Sequence, residues 1–125
     1  MAHRGLTHSI LFALLFGALV AVLARKFLRA EISFGRLFAF FALVTFSHPL
    51  LDMLTNGGPG VALLAPLSSE RYFFPWRPIE VSPIGFNFFS ARGWSVILSE
   101  IIWTWLPALA TLFTATFVRR ALKNR

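Results

Sequence analysis

The sequence contains no cysteine and very few acidic residues. Its 125 residues include 5 aspartates and glutamates, against 12 lysines and arginines. Without cysteine the chain forms no disulfide, and it has neither a thiolate metal site nor a cysteine nucleophile. Any bound metal ion must therefore be held by histidine, carboxylate and water ligands.

Charged residues of either sign are also scarce. They make up 14% of the chain, whereas hydrophobic residues make up 57% and the mean hydropathy is +0.70. A soluble domain is about 25% charged and about 45–50% apolar. The composition therefore predicts an integral membrane protein whose surroundings are the lipid bilayer. At this length we expect residues 1–125 to form a single membrane domain.

Three apolar runs predict an all-α, multi-pass membrane fold. We expect spans at about residues 7–24, 34–51 and 95–118, each near the length that a helix needs to cross the bilayer core. Residues 52–94, between the second and third spans, are predicted to form a long irregular loop because they are rich in proline and glycine. Within this loop Asn56-Gly57-Gly58 predicts a simple turn.

The basic residues cluster beside the apolar runs, which predicts the topology. Residues 25–36 and 119–125 hold four basic residues each, and three spans place both segments on one side of the membrane. By the positive-inside rule that side is cytoplasmic, so the chain is predicted to lie in the cell inner membrane. The same clustering argues against nucleic-acid binding as the purpose of the net charge of +7.

The stretch Ser47-His48-Pro49-Leu50-Leu51-Asp52 is the strongest candidate for a functional site. His48 and Asp52 are four residues apart, so on a helix they share a face. They are either two ligands of a metal ion or an ordinary hydrogen-bonded pair at a helix end. Pro49 either kinks the helix or begins a new turn. The predicted topology brings His3 and His8 to the same extracytoplasmic side.

Three charged residues are further candidates. Glu100, near the start of the third span, is a metal ligand, a general base or an acid at the membrane surface. Arg71 and Arg77 lie in an aromatic-rich part of the loop and would bind either phosphate groups of an anionic substrate or lipid headgroups.

Two motifs together resemble a known family. His3-Arg4-Gly5-Leu6-Thr7-His8-Ser9, followed by Ser47-His48-Pro49-Leu50-Leu51-Asp52-Met53-Leu54-Thr55, is similar to the membrane-bound metal-dependent hydrolases, also described as LexA-binding, inner-membrane-associated hydrolases. The resemblance covers roughly residues 3 to 85. It implies multi-pass helices and a divalent metal, Zn²⁺ above all, whose candidate ligands are His3, His8, His48 and Asp52. It also implies a remote relation to helical zinc phospholipases and nucleases.

The sequence departs from the family pattern at its N-terminus. Members of the family carry a further apolar segment with an early histidine and an acidic stretch ahead of the His-Arg-Gly motif, whereas here Met1 stands two residues before His3. We therefore expect either a misplaced start or a shortened member.

Two hypotheses about function follow. In the first, the protein is a membrane-embedded metal-dependent hydrolase, acting on a phosphoester or lipid-like substrate at the extracytoplasmic face. Asp52 would then serve as a ligand or orient one, and Glu100 would act as the general base. In the second, the chain is a non-catalytic membrane protein that acts through partner binding. The substrate, the number of metal ions and the oligomeric state are not predicted.

Overall fold

The computed structural model describes residues 4–27, 31–83 and 85–123, and the regular secondary structure in these ranges is helical. The helices are α1 (Ile10–Phe27), α2 (Phe34–Met53), α3 (Ala91–Glu100) and α4 (Leu106–Lys123), and a π-helical stretch, Ile101–Trp105, joins the last two. The described residues form no β-strand. The prediction of an all-α fold is therefore confirmed.

The chain divides into two compact units, Met1–Arg77 and Pro78–Arg125. The first unit holds α1, α2 and most of the loop, and the second holds α3, the π-helical stretch and α4. Three helical segments, Ile10–Phe27, Phe34–Met53 and Ala91–Lys123, are long and apolar enough to cross a membrane. The three predicted spans are thus confirmed, whereas a single membrane domain stays a prediction.

The first helix begins later than predicted because Ser9 caps it. Ser9 is almost fully buried, and its Oγ accepts a hydrogen bond from the backbone N–H of Phe12 at 3.1 Å. This bond satisfies one of the N–H groups that the first turn of a helix leaves unpaired. The N–H of Ile10 donates to the carbonyl of Leu63 at 3.0 Å, so the loop is attached to the first turn of α1. His8 consequently lies just outside the α-helix.

Small residues let α1 and α2 pack closely. Every fourth residue along one side of α1 is small and buried, in the order Ala13, Gly17 and Ala21. Ala21 packs with Leu37 near the start of α2, whereas Gly17 faces Ala42 further along, so the helices run antiparallel. Such small-residue contacts are a main source of helix association in a bilayer, where hydrophobicity does not drive helices together.

Gly17 is the closest point of this contact, and substituting it should separate the two helices. A Cβ at this position would lie 2.7 Å from the backbone nitrogen of Ala42, and backbone cannot move aside as a flexible side chain can. We expect Gly17→Ala to lower the free energy of unfolding by about 1–3 kcal/mol, as overpacking does elsewhere. Thermal unfolding in detergent measures it.

Gly35→Ala is the matched control for this prediction. Gly35 also lies in a helix, but a Cβ there would meet no atom within 4 Å, so the change should be neutral or slightly stabilising. Equal effects of the two substitutions would show that the close contact between α1 and α2 does not contribute to stability.

The second helix continues through Pro49 without a break. It runs from Phe34 to Met53, and the Pro49 ring is fully buried. A proline inside a helix removes one backbone hydrogen bond, and membrane helices tolerate this loss. Because the helix is continuous, His48 and Asp52 do share one face, as their spacing predicts.

The third span is a longer helical segment than predicted. It begins at Ala91 and ends at Lys123, whereas the apolar run suggested 95–118. Arginine and lysine are good helix formers with long side chains, so the helix extends beyond the apolar run into its basic tail. The N–H of Leu106 donates to the carbonyl of Ile101, which is the wider π-helical pattern. This pattern precedes Pro107, whose ring would clash with a carbonyl of a regular α-turn.

The loop of the first unit is folded back on itself. Val61 and Tyr72 form an isolated antiparallel bridge, and the N–H of Phe74 donates to the carbonyl of Met53 at the end of α2. The hydroxyl of Tyr72 also donates to the Glu70 carboxylate at 2.8 Å, and this hydrogen bond raises the pKa of Tyr72. The segment from Met53 to Phe74 is therefore a structured cover over one end of the α1–α2 pair.

Candidate metal centre

His8 is held in place immediately before α1. It ends a 3₁₀ turn, Leu6–His8, and its N–H donates to the carbonyl of Gly5 at 2.9 Å. The His8 ring is buried, and its Nδ1 is hydrogen-bonded to Thr7 Oγ1 at 3.0 Å. The other ring nitrogen, Nε2, faces the last turns of α2.

Two side chains from α2 meet this nitrogen. His8 Nε2 lies 3.1 Å from His48 Nε2 and 3.3 Å from Asp52 Oδ2. The three residues each offer one ligand atom within 4.8 Å of the others, so they could hold a metal ion. The predicted convergence of His8, His48 and Asp52 is therefore found in the structure, at the end of the helix pair where α1 begins and α2 ends.

Arg4 is the residue that sequence analysis missed. Its side chain is 5% exposed, and its Nε lies 3.0 Å from Asp52 Oδ2. Its Nη2 donates to Thr55 Oγ1 at 2.9 Å and lies 3.4 Å from Asp52 Oδ1, while its Nη1 donates to the carbonyl of Gly57 at 2.9 Å. One guanidinium thus joins the acid of α2 to the turn that follows the helix.

The glycine-rich turn is shaped around this guanidinium. Gly58 has a φ of +87°, and a Cβ on it would lie 2.9 Å from Arg4 Nη1. Arg4 itself has a φ of +66°, a left-handed conformation that costs a non-glycine residue roughly 1–2 kcal/mol. A strained residue persists only where its surroundings determine its position. The Asn56-Gly57-Gly58 turn is therefore part of the site, and not merely the simple turn that its composition predicted.

The Asp52 carboxylate provides a test of whether a metal ion fits. Its Oδ2 atom is buried and forms an ion pair with Arg4 Nε at 3.0 Å, but it accepts no hydrogen bond. Buried polar atoms are nearly always hydrogen-bonded, so this oxygen retains the capacity to coordinate a cation beside His8. Tetrahedral zinc with Zn–N bonds of about 2.0–2.1 Å separates its ligand atoms by roughly 3.3 Å, close to both distances from His8 Nε2. The donor set fits a divalent metal ion.

The other predicted site residues have different positions. Arg71 lines a cavity together with His8, and its Nη1 donates to the carbonyl of Gly60 at 3.0 Å. Arg77 lies over the ring of Phe73, 4.9 Å from its centroid, and does not line that cavity. Glu100 belongs to the second unit, where it ends α3. His3 lies outside the described residues.

Comparison with known proteins places this chain in a family. A family model described as the YdjM inner membrane protein matches residues 1–122. The chain belongs to the YdjM inner membrane protein family. The inner membrane protein YbcI of Escherichia coli (strain K12) is 39% identical over 119 residues, which cover 94% of this chain and 68% of YbcI. No solved structure matches the chain.

Membership of the YdjM family agrees with the three candidate spans, so the protein is an inner membrane protein. In this member of the family, the His8, His48 and Asp52 side chains form a group with the spacing and chemistry of a metal site. Two of them come from the end of a membrane-spanning helix. The candidate metal centre therefore lies at one end of a candidate span.

Proposed function

We propose that this protein is a membrane-embedded, metal-dependent hydrolase with a zinc site at the extracytoplasmic face. The observation that carries the proposal is the cluster of His8 Nε2, His48 Nε2 and Asp52 Oδ2, whose third atom is buried without a hydrogen bond. The resemblance of the two histidine motifs to membrane-bound metal-dependent hydrolases supports it. The basic segments at residues 25–36 and 119–125 support the orientation.

The protein's own groups would prepare this site before any substrate binds. The contact with Thr7 Oγ1 fixes the orientation of the His8 ring, and in the tautomer with its proton on Nδ1 the ligand atom would be Nε2. Arg4 restrains the Asp52 carboxylate at the end of α2. Bound by these three ligands, Zn²⁺ would supply the acidification of a water molecule toward neutrality, and with it the nucleophile for hydrolysis.

The remaining roles in the proposal concern the substrate and the general base. The cavity beside His8 would receive an anionic substrate, a phosphoester, with Arg71 in its wall. Glu100 as a general base and Arg77 as a substrate ligand stay sequence predictions. His3 is a further candidate ligand on the resemblance alone.

The decisive experiment measures metal in the detergent-purified protein. We expect stoichiometric zinc in the native protein and its loss in His48→Ala, because that change removes one of three ligand atoms. Ser47→Ala is the matched control: Ser47 is the neighbouring residue, and its hydroxyl bonds only the carbonyl of Val44 within its own helix. The metal-loaded protein should hydrolyse phosphoesters, and His48→Ala should not.

Two results would count against the proposal. If neither the native protein nor His48→Ala contains metal, even after incubation with zinc, the cluster is not a metal site. The chain would then be a non-catalytic member that acts through partner binding. If metal is present but is retained in His48→Ala, it binds elsewhere in the protein.

A further inference from the structure

An open cavity of about 810 Å³ lies beside the candidate metal centre. The 3₁₀ turn before α1 forms one wall, and the loop segment from Ala62 to Arg71 forms the other. His8 lines the cavity and is also one of the three candidate metal ligands, so a molecule bound in the cavity could contact the metal centre through it. A volume of this size is in the range of ordinary small-molecule sites.

The charged side chains that line the cavity favour an anionic ligand. Among the described residues that line it, the ones that carry or can carry positive charge are Arg4, His8 and Arg71, and none is an aspartate or glutamate. Arg4 is already engaged with Asp52, whereas Arg71 lines the cavity and is anchored by its bond to the carbonyl of Gly60. Ser68 and Ser69 add hydroxyl groups to the same wall. Guanidinium and hydroxyl groups together suit a phosphate.

Exposed leucines lie at the cavity and next to it. Leu6, which lines the cavity, is 50% exposed, and Leu67, which stands between the lining residues Pro66 and Ser68, is 92% exposed. The bond between the Ile10 N–H and the Leu63 carbonyl attaches this loop to the first turn of a membrane-spanning helix. Leucines exposed at that level would contact acyl chains rather than water.

We propose that this cavity binds the phosphate headgroup of a membrane lipid whose tails remain in the bilayer, so that the substrate of the metal site is a lipid phosphoester. The inference rests on the proposed hydrolase function for its chemistry, but the binding itself does not require a metal. A cationic wall, exposed leucines beside it and a hydrogen bond to the start of a candidate span match an amphiphilic anion. Phosphate is the anionic group that membrane lipids present at the bilayer surface.

The experiment measures binding of two phosphate esters by the full-length protein in maltoside micelles, which contain no phosphate. The probes are dihexanoyl phosphatidic acid and glycerol 3-phosphate, and a chelator excludes direct binding to metal. We expect the lipid to bind at least about tenfold more tightly than the tail-less ester. Arg71→Gln should weaken lipid binding by at least about tenfold.

Two further variants make the test specific. Arg77→Gln removes an equal charge from a residue outside the cavity and should leave lipid binding unchanged. Leu67→Ser should weaken binding of the lipid but not of glycerol 3-phosphate, and it should not perturb folding because Leu67 is almost fully exposed. If Arg71→Gln does not fold, Arg71→Lys, which keeps the charge, should retain most of the binding.

The proposal is overturned if both esters bind equally, since the cavity would then take a free phosphate ester. Equal losses in Arg71→Gln and Arg77→Gln would also overturn it, because binding would then reflect net charge alone. Either result leaves the metal measurement on His48→Ala untouched, so failure of the lipid proposal and failure of the hydrolase proposal can be told apart.

Discussion

Arg4→Met is expected to lower the free energy of unfolding of the metal-free protein by about 3–5 kcal/mol. Removing one partner of a buried ion pair leaves the other charge in a poorly solvated place, and that penalty is of this size. Here the stranded group is the Asp52 carboxylate, which is 16% exposed and lies 3.0 Å from Arg4 Nε. Thr55 Oγ1 and the Gly57 carbonyl lose a donor as well. Thermal or denaturant unfolding in detergent measures the loss.

Zinc should partly reverse the effect of this substitution. A divalent ion would compensate the stranded Asp52 carboxylate, so the melting temperature of Arg4→Met should rise more with added zinc than that of the native protein. Arg36→Met is the control, since it removes an exposed arginine near the start of α2. The idea that Arg4 holds Asp52 in place fails if Arg4→Met is no more destabilising than Arg36→Met.

Asp52→Leu is expected to abolish metal binding and to destabilise the protein by a similar amount. The substitution removes one of the three ligand atoms and leaves the Arg4 guanidinium, which is 5% exposed, without its counter-ion. Metal analysis and unfolding measurements on the same sample report the two losses separately. Both effects come from one carboxylate, so the single variant cannot divide its structural role from its role as a ligand.

The double variant Arg4→Met, Asp52→Leu separates the structural role of Asp52 from its role as a ligand. Replacing both members of a buried ion pair with apolar residues is often neutral, so stability should recover most of the loss seen in either single variant. Metal binding should not recover, because the carboxylate is still missing. Metal bound by the double variant at native stoichiometry would exclude Asp52 as a ligand. Additive losses of stability would exclude the Arg4–Asp52 pair.

Much of the fold follows from local sequence patterns. An apolar run of about 20 residues predicts a spanning helix, since a helix satisfies the backbone N–H and C=O groups within the segment itself. The three spans were therefore predictable, with errors of a few residues at their ends. The first of these errors came from Ser9, a capping signal whose burial and bond to Phe12 required the structure. The last came from the basic tail, which stays helical up to Lys123.

Part of the candidate site was predictable for the same reason. His48 and Asp52 are one helical turn apart, and that spacing alone puts them on one face of α2. Placing His8 with them needed only the topology, because the start of one span and the end of the next lie on the same side of the membrane. Arg77 shows the limit of such reasoning: it is close to Arg71 in sequence, yet it packs on Phe73.

The sequence by itself thus determined the membrane class, the three helices and the pairing of His48 with Asp52, all of which depend on composition or on residues one turn apart. Only the tertiary structure decided the role of Arg4, the contact of Gly17 with Ala42 and the cavity beside His8. The physical reason is distance along the chain. Arg4 meets Asp52 only after two helices have packed and a glycine turn has taken a left-handed conformation, and no local pattern encodes that combination.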